Sequence, residues 1–276
     1  MDILGLQLGP VRHTWTERDA ILYALGIGAR LPEDLPFLYE GAGADGPLVA
    51  PTFALTAATR MLPPLIEAAR LDVRTLLHAT QAIELLRRPA PEGACSVTRT
   101  VTGVWDKGRA ALVDCVDAIG DDDGPLAVAR SSWWVEGAGG FGGPRSDPSA
   151  SAPPVLPERR PDVTLAVATT PEQAALYRLS GDRNPVHIDP EVARAAGQPR
   201  PFLHGLCTLG IAGLGMARAA GAGRRLTSLA GRFTSPVFPG DDVTTEVWWT
   251  GEDTALARVT SAGTPVIAPV QATFAD

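Results

Sequence analysis

Lysine is almost missing from this 276-residue chain: Lys107 is the single example, although arginine is abundant. Runs of like charge are missing too. Arginine is interspersed with acidic residues and the net charge is −7, which excludes a basic face for nucleic acid. Cysteine is scarce. Cys95, Cys115 and Cys207 are odd in number and lack paired spacing, which argues against a disulfide framework or a zinc site and for a reducing cytoplasm. The opening MDILGLQLGP has neither a cationic region nor a long apolar run, so it does not read as a signal peptide. The longest apolar stretch, residues 203–217, is too short for a membrane span and is closed by Arg218, so it reads as a core helix. The final TFAD is no peroxisomal address. What these absences leave is a soluble globular protein, 45% hydrophobic and 20% charged, long enough for one large domain or two moderate ones.

Chemistry concentrates in one stretch, YRLSGDRNPVHIDPEVARAAGQPRPFLHGLC, residues 177–207, which holds two of the four histidines. Gly181 and Pro185 keep residues 180–187 out of regular helix, and Asn-Pro signals a tight turn. Such a loop can bring Asp182 and His187 toward one point as an acid–base pair, typically worth about 10²–10⁴ in rate. Asn184 carries a donor and an acceptor and can orient either partner. The bland alternative is a surface turn stabilised by Asp182 and Asn184 bonding to backbone. Downstream, helix onset near His204-Gly205 would aim free N–H groups into the space beside that loop. An acid–base pair facing a helix N-terminus suits enolate chemistry, because the N–H holds the charge that develops on a carbonyl oxygen.

YRLSGDRNPVHIDP followed by HGLC resembles the hydratase 2 motif of the MaoC-like family, the (R)-specific enoyl-CoA hydratases. The resemblance implies an α+β double hot-dog fold, two antiparallel sheets each wrapped around a long central helix. It implies reversible hydration of trans-2-enoyl-CoA to (3R)-3-hydroxyacyl-CoA, with a CoA thioester as substrate and no metal or redox cofactor. Asp182 and His187 would be the catalytic pair, Asn184 would orient them, and the N–H of Gly205 would receive the thioester oxygen. Arg183, Pro185 and Val186 on the same loop, and Phe233 in GRFTSPVFPG, would lie against the acyl-CoA. His78 occupies the place of a family His-Gly that touches the ligand, with Ala79 where the family has glycine. Lys107, in an Asp-Lys-Gly turn, would meet the CoA end, where an ammonium suits phosphate. The alternatives are a biosynthetic (3R)-hydroxyacyl thioester dehydratase, or a non-catalytic acyl-CoA-binding hot-dog protein. A metal set of His187, Asp189 and His204 is conceivable, but their spacing follows no ligand pattern.

The rest of the chain repeats itself. Residues 17–29 and 53–62 (FALTAATRML) read as helices, the second ended by Pro63-Pro64, and residues 31–40 read as loop and strand. Strand-like patterns follow from residue 77 to 136. Ala175-Leu176-Tyr177 echoes Ile21-Leu22-Tyr23, and Pro201-Phe202-Leu203 echoes Pro51-Thr52-Phe53, as in a duplicated domain. The expected division is an N-terminal lobe over 1–142, a Pro/Ser-rich linker over 143–162 and a C-terminal lobe over 163–276. The first lobe lacks the Asp/His motif, so one active site is expected, in the second. The glycine-rich run after residue 136 lacks the strand-to-helix context of a phosphate cradle and reads as structural. A homodimer is the expected assembly.

Overall fold

The structure is a computed structural model and describes residues 2–221 and 223–276. In the first half, β1 (Gln7–Trp15) leads into α1 (Glu17–Gly26), α2 (Leu35–Leu38), α3 (Leu55–Thr59) and α4 (Leu62–Ala69). Four strands follow: β2 (Leu76–Leu85), β3 (Gly93–Asp106), β4 (Ala110–Asp121) and β5 (Gly124–Glu136). The second half repeats the plan, with β6 (Val163–Ala168), then α5 (Gln173–Tyr177), α6 (Pro190–Ala195) and α7 (Gly205–Ala220). It closes with β7 (Arg225–Phe233), β8 (Asp242–Trp249), β9 (Thr254–Ser261) and β10 (Thr264–Ala275).

All the strands lie in one sheet, ordered β1-β3-β4-β5-β2-β7-β10-β9-β8-β6. The second half of that order mirrors the first, as a duplication requires. Two sheets were expected. Instead, antiparallel pairing of β2 with β7, from Thr80 opposite Arg232 to Glu84 opposite Ser228, fuses the halves edge to edge into one double hot-dog sheet. Alternation puts Cys95, Val97, Arg99 and Val101 of β3 on the inner face, packed toward the helices.

The halves differ in what that sheet encloses. Residues 206–216 of α7 are buried without interruption, the mark of a helix surrounded on all sides. The N-terminal half has no such helix, contrary to expectation. FALTAATRML gives only the five residues of α3. The chain turns at Arg60-Met61, ahead of Pro63-Pro64, and those prolines start α4 instead of ending its predecessor. Proline is well tolerated there because first-turn N–H groups have no partner in the helix. Residues 31–40 form turns and α2 but no strand, and β1 is a strand that the sequence did not announce. No helix among the described residues is long and apolar enough to cross a membrane. All three cysteines are buried and unpaired.

Candidate active site

The loop from α5 to α6 folds back because Gly181 takes φ +136°, a backbone shape that side-chain-bearing residues rarely adopt. Asp182 and Asn184 then lock the turn. The Asn184 N–H donates to Asp182 Oδ1 at 3.0 Å, and Asn184 Oδ1 accepts the Val186 N–H at 3.1 Å. Pro185–His187 forms a single 3-10 turn that delivers His187 into the interior, 8% exposed. Thus the turn-stabilising reading of Asp182 and Asn184 holds, and it is also what aims the histidine. Asn184 acts on the loop backbone and does not touch the His187 ring through a hydrogen bond among the described residues.

His187 Nδ1 lies 2.9 Å from the carbonyl oxygen of Phe202, so Nδ1 carries the proton and donates, leaving Nε2 as a free base. Burial pushes the His187 pKa below its ordinary 6.5, opposed by the Asp182 carboxylate and reinforced by the nearby Arg178 cation. A carboxylate oxygen of Asp182 and a ring nitrogen from each of His187 and His204 lie within 4.8 Å of one another. Asp182 and His187 share no direct hydrogen bond, which leaves a gap that a water can bridge.

Beside this pair, His204, whose Nε2 lies 3.1 Å from the Asp182 backbone carbonyl, is the N-cap of α7 and Gly205 is its first residue. The Gly205 N–H has no acceptor among the described residues and sits at the positive end of a sixteen-residue helix. Gly205 is needed here for closeness: a Cβ at this position would lie 3.0 Å from the ring of Phe233. Phe233 in turn packs on His78 with ring centroids 5.0 Å apart, and His78 stacks on Trp133 at 4.1 Å. Burial, then the Arg99 charge, pushes the pKa of His78 down to about 4, and its buried Nε2 has no partner. Phe233 and His78 therefore bring the seam of the two half-sheets to the mouth of the loop.

The three groups nearest one another were tested as a metal set. Asp189 does not belong to it, since its carboxylate caps α6 by accepting the Glu191 N–H at 2.8 Å. The two imidazoles lie with centroids 3.7 Å apart and planes inclined by 31°. Each ring spends one nitrogen on a backbone carbonyl and keeps the other without a partner among the described residues. With a carboxylate and a free imidazole nitrogen side by side, the set can pass a proton.

Comparison with known proteins fits this geometry. The profile of the MaoC like domain matches residues 153–268, and that of the MFE-2 hydratase 2 N-terminal domain matches residues 13–137. Enoyl-CoA hydratase ChsH3 of Mycobacterium tuberculosis is 41% identical over 90% of this chain and 88% of its own length. The chain belongs to the MaoC-like hydratase 2 family. Its relatives include the peroxisomal enoyl-CoA hydratase 2 of Arabidopsis thaliana, 38% identical over 90% of this chain and 86% of that one. Among solved structures, a MaoC-like dehydratase from Phytophthora capsici superposes with a TM-score of 0.88 at 29% identity, covering 99% of this chain and 96% of its own.

Within this MaoC-like hydratase 2 chain, the expected residues fall into three groups. Asp182, Asn184, His187 and Gly205 converge with Phe233 and His78. Arg183 and Pro185 are exposed on the loop's outer side and Val186 is half-buried. Lys107 stands apart, at the tip between β3 and β4. The register Leu76–Val135–Ala111–Asp106 puts it at the same end of the sheet as His78, roughly 10–15 Å away at about 4.8 Å per strand. Its ammonium donates to the carbonyl of Arg145. Ala79, which departs from the family's glycine, is the extra residue of a bulge between His78 and Thr80 on β2. Its φ is not positive, so the bulge tolerates a Cβ. The glycine-rich run is structural: Gly140 and Gly142 donate N–H groups at 2.9 and 2.7 Å to the Asp106 carboxylate, filling the cradle from within.

Three contacts went unforeseen. Trp133 is hidden in an ordinary strand pattern, and Arg178 follows a helix as any surface arginine does. His204 was read as a helix start and as a member of an unsupported metal set, and its ring contact with His187, centroids 3.7 Å apart, was not foreseen.

Proposed function

We propose that the chain reversibly adds water to trans-2-enoyl-CoA to give (3R)-3-hydroxyacyl-CoA. The observation that carries this reading is the unengaged Nε2 of His187 and the Asp182 carboxylate gathered at His204, the residue that precedes the unpaired N–H of Gly205. A water between Asp182 and His187 gives up a proton to the pair as its oxygen bonds to C3. Electron density moves onto the thioester oxygen, where the Gly205 N–H and the α7 dipole stabilise it. The pair then returns a proton to C2, leaving the enzyme unchanged and one water added. A single preorganised donor of this kind is worth about 10²–10³ in rate. The substrate lies across the β2–β7 seam against His78 and Phe233, with its nucleotide end toward Lys107. No metal or redox cofactor enters the scheme.

The same groups run the reaction backward, so dehydration of (3R)-hydroxyacyl thioesters is the second reading. A relative at 38% identity, 3-hydroxyacyl-thioester dehydratase Y of Mycobacterium tuberculosis, favours keeping it in view. Concentrations set the direction. The test is incubation with crotonyl-CoA and longer enoyl-CoAs, following loss of the conjugated thioester absorbance and the chirality of the product. Formation of the (3R) alcohol is expected. Formation of the (3S) alcohol, or no hydration across the series, overturns the proposal.

A further inference from the structure

His204 touches the Asp182 loop and the His187 ring and begins the helix that carries the Gly205 N–H, without being one of the reacting groups. Its Nε2 lies 3.1 Å from the backbone carbonyl of Asp182, so Nε2–H donates to the loop that carries the carboxylate. Its ring lies on His187 with centroids 3.7 Å apart. Its backbone begins α7, one residue before the Gly205 N–H. The ring is 2% exposed, and Nδ1 is buried without a partner.

On its other side His204 is held by the opposite half of the molecule. Its ring meets Tyr177 at 4.9 Å, Tyr177 meets Tyr23 at 5.9 Å, and Tyr23 meets Phe53 at 5.5 Å. Tyr23 donates its hydroxyl to Thr52 Oγ1 at 2.9 Å. A continuous column of rings therefore runs from the N-terminal core to the base.

We infer that His204 is a positioning residue, which ties the Asp182 loop, the His187 ring and the start of α7 into one unit and anchors that unit on Tyr177 and Tyr23 of the two halves. Burial first, and the His187 charge second, hold His204 well below its ordinary pKa, so it stays neutral while His187 works. The charged and titratable groups facing the pair are Asp182 and Arg178, with Tyr177 and Tyr23 behind. A neutral imidazole keeps Nε2–H as donor and adds no charge beside His187. Misplacing reacting groups by about 1 Å can cost 10²-fold, which sets the scale of effect expected here.

This inference rests on the hydratase reading, so one arm of the test does not use activity. With four histidines in the chain, side-chain ¹H–¹⁵N spectra can be assigned by substitution. His204 is expected to stay the neutral Nε2–H tautomer at pH values well below its ordinary pKa of 6.5. Titration near pH 6.5, or the Nδ1–H tautomer, overturns the inference whether or not the protein hydrates enoyl-CoA. In the kinetic arm, His204→Phe keeps a stacking ring and loses the donor, while His204→Gln keeps an N–H donor. H204F should lose roughly 10–100-fold in kcat with KM within twofold and the acid limb of the pH profile unmoved. H204Q should recover part of that loss. Tyr23→Phe, which folds around an unchanged ring, should show a smaller loss confined to kcat. A kcat within twofold of wild type in H204F, equal losses in H204F and H204Q, or a shifted acid limb would each overturn it.

Discussion

The loop after α5 and the loop after α1 occupy matching places in the two halves, yet they do opposite work. Counting from Tyr177 and Tyr23, which touch across the centre, Asp182 falls opposite Gly28 and His187 opposite Glu33. In the C-terminal loop the carboxylate and imidazole keep their reactive atoms open. In the N-terminal loop the nearby carboxylate, Asp34, is 1% exposed and fully committed. It accepts the Arg30 N–H at 2.6 Å and pairs with the Arg218 guanidinium, whose Nε lies 2.7 Å away near the end of α7. One loop spends both oxygens of its carboxylate on structure, and the other spends one oxygen and one ring nitrogen and leaves the second of each unengaged among the described residues. The half without the Asp/His motif still contributes Tyr23, on which Tyr177 and through it His204 rest.

That contrast breaks most sharply at its live side. Asp182→Asn and His187→Ala should each lower kcat/KM by about 10²–10⁴ while leaving the far-UV circular dichroism spectrum unchanged. The double variant should lose little more than either single one, because the residues act as a unit. A folded double variant with a large share of wild-type turnover removes the assignment of this loop as the site.

At the silent side the effect should appear in stability instead. Asp34→Ala leaves Arg218 without its partner and should cost about 2–3 kcal/mol in urea unfolding, with kcat within a few-fold of wild type. A loss of rate without loss of stability would show that the loop takes part in chemistry. Next in size, Lys107→Ala should raise KM roughly tenfold and leave kcat nearly untouched, with the defect shrinking on pantetheine thioesters that lack the nucleotide. An equal defect on the truncated substrate assigns the lysine to holding the Arg145 segment.

The smallest effect separates the histidines of the two halves by pH. Burial lowers the pKa of His13, on β1, to about 4, with Thr56 Oγ1 3.3 Å from its Nε2. The unfolded chain protonates this ring near pH 6.5 while the folded chain resists until about 4. Its contribution is therefore complete above pH 6.5 and is lost as pH falls through that window, on the order of 1–3 kcal/mol. His13→Gln should flatten the acid slope of stability without moving the acid limb of kcat/KM. A slope unchanged in the variant assigns the acid sensitivity to other groups.

Much of this contrast was legible in the sequence, because loop chemistry is local. Gly181, Asn184-Pro185 and the His204-Gly205 step favour a turn and a helix start from local chemistry alone, so both could be read from spacing. The echo of Ile21-Leu22-Tyr23 in Ala175-Leu176-Tyr177 likewise exposed the duplication. What escaped depends on partners distant in the chain. The β2–β7 seam needs both halves in place before a strand edge knows its neighbour. The broken helix at Arg60-Met61 was hidden because the prolines that follow it look like a stop and serve as a start. His204 was overlooked for the same reason: its partners, His187 and Tyr177, are distant in sequence and close only in the fold.

The β2–β7 seam also decides how the site responds to dilution. Two separate hot-dog chains would have to find one another, and their shared site would fade as concentration fell. Here the two edges belong to one polypeptide, joined by the 26 residues between β5 and β6, and a tether of that order holds such partners at about millimolar effective concentration. The catalytic unit should therefore keep its specific activity at nanomolar protein, where assembly from separate lobes would already have come apart.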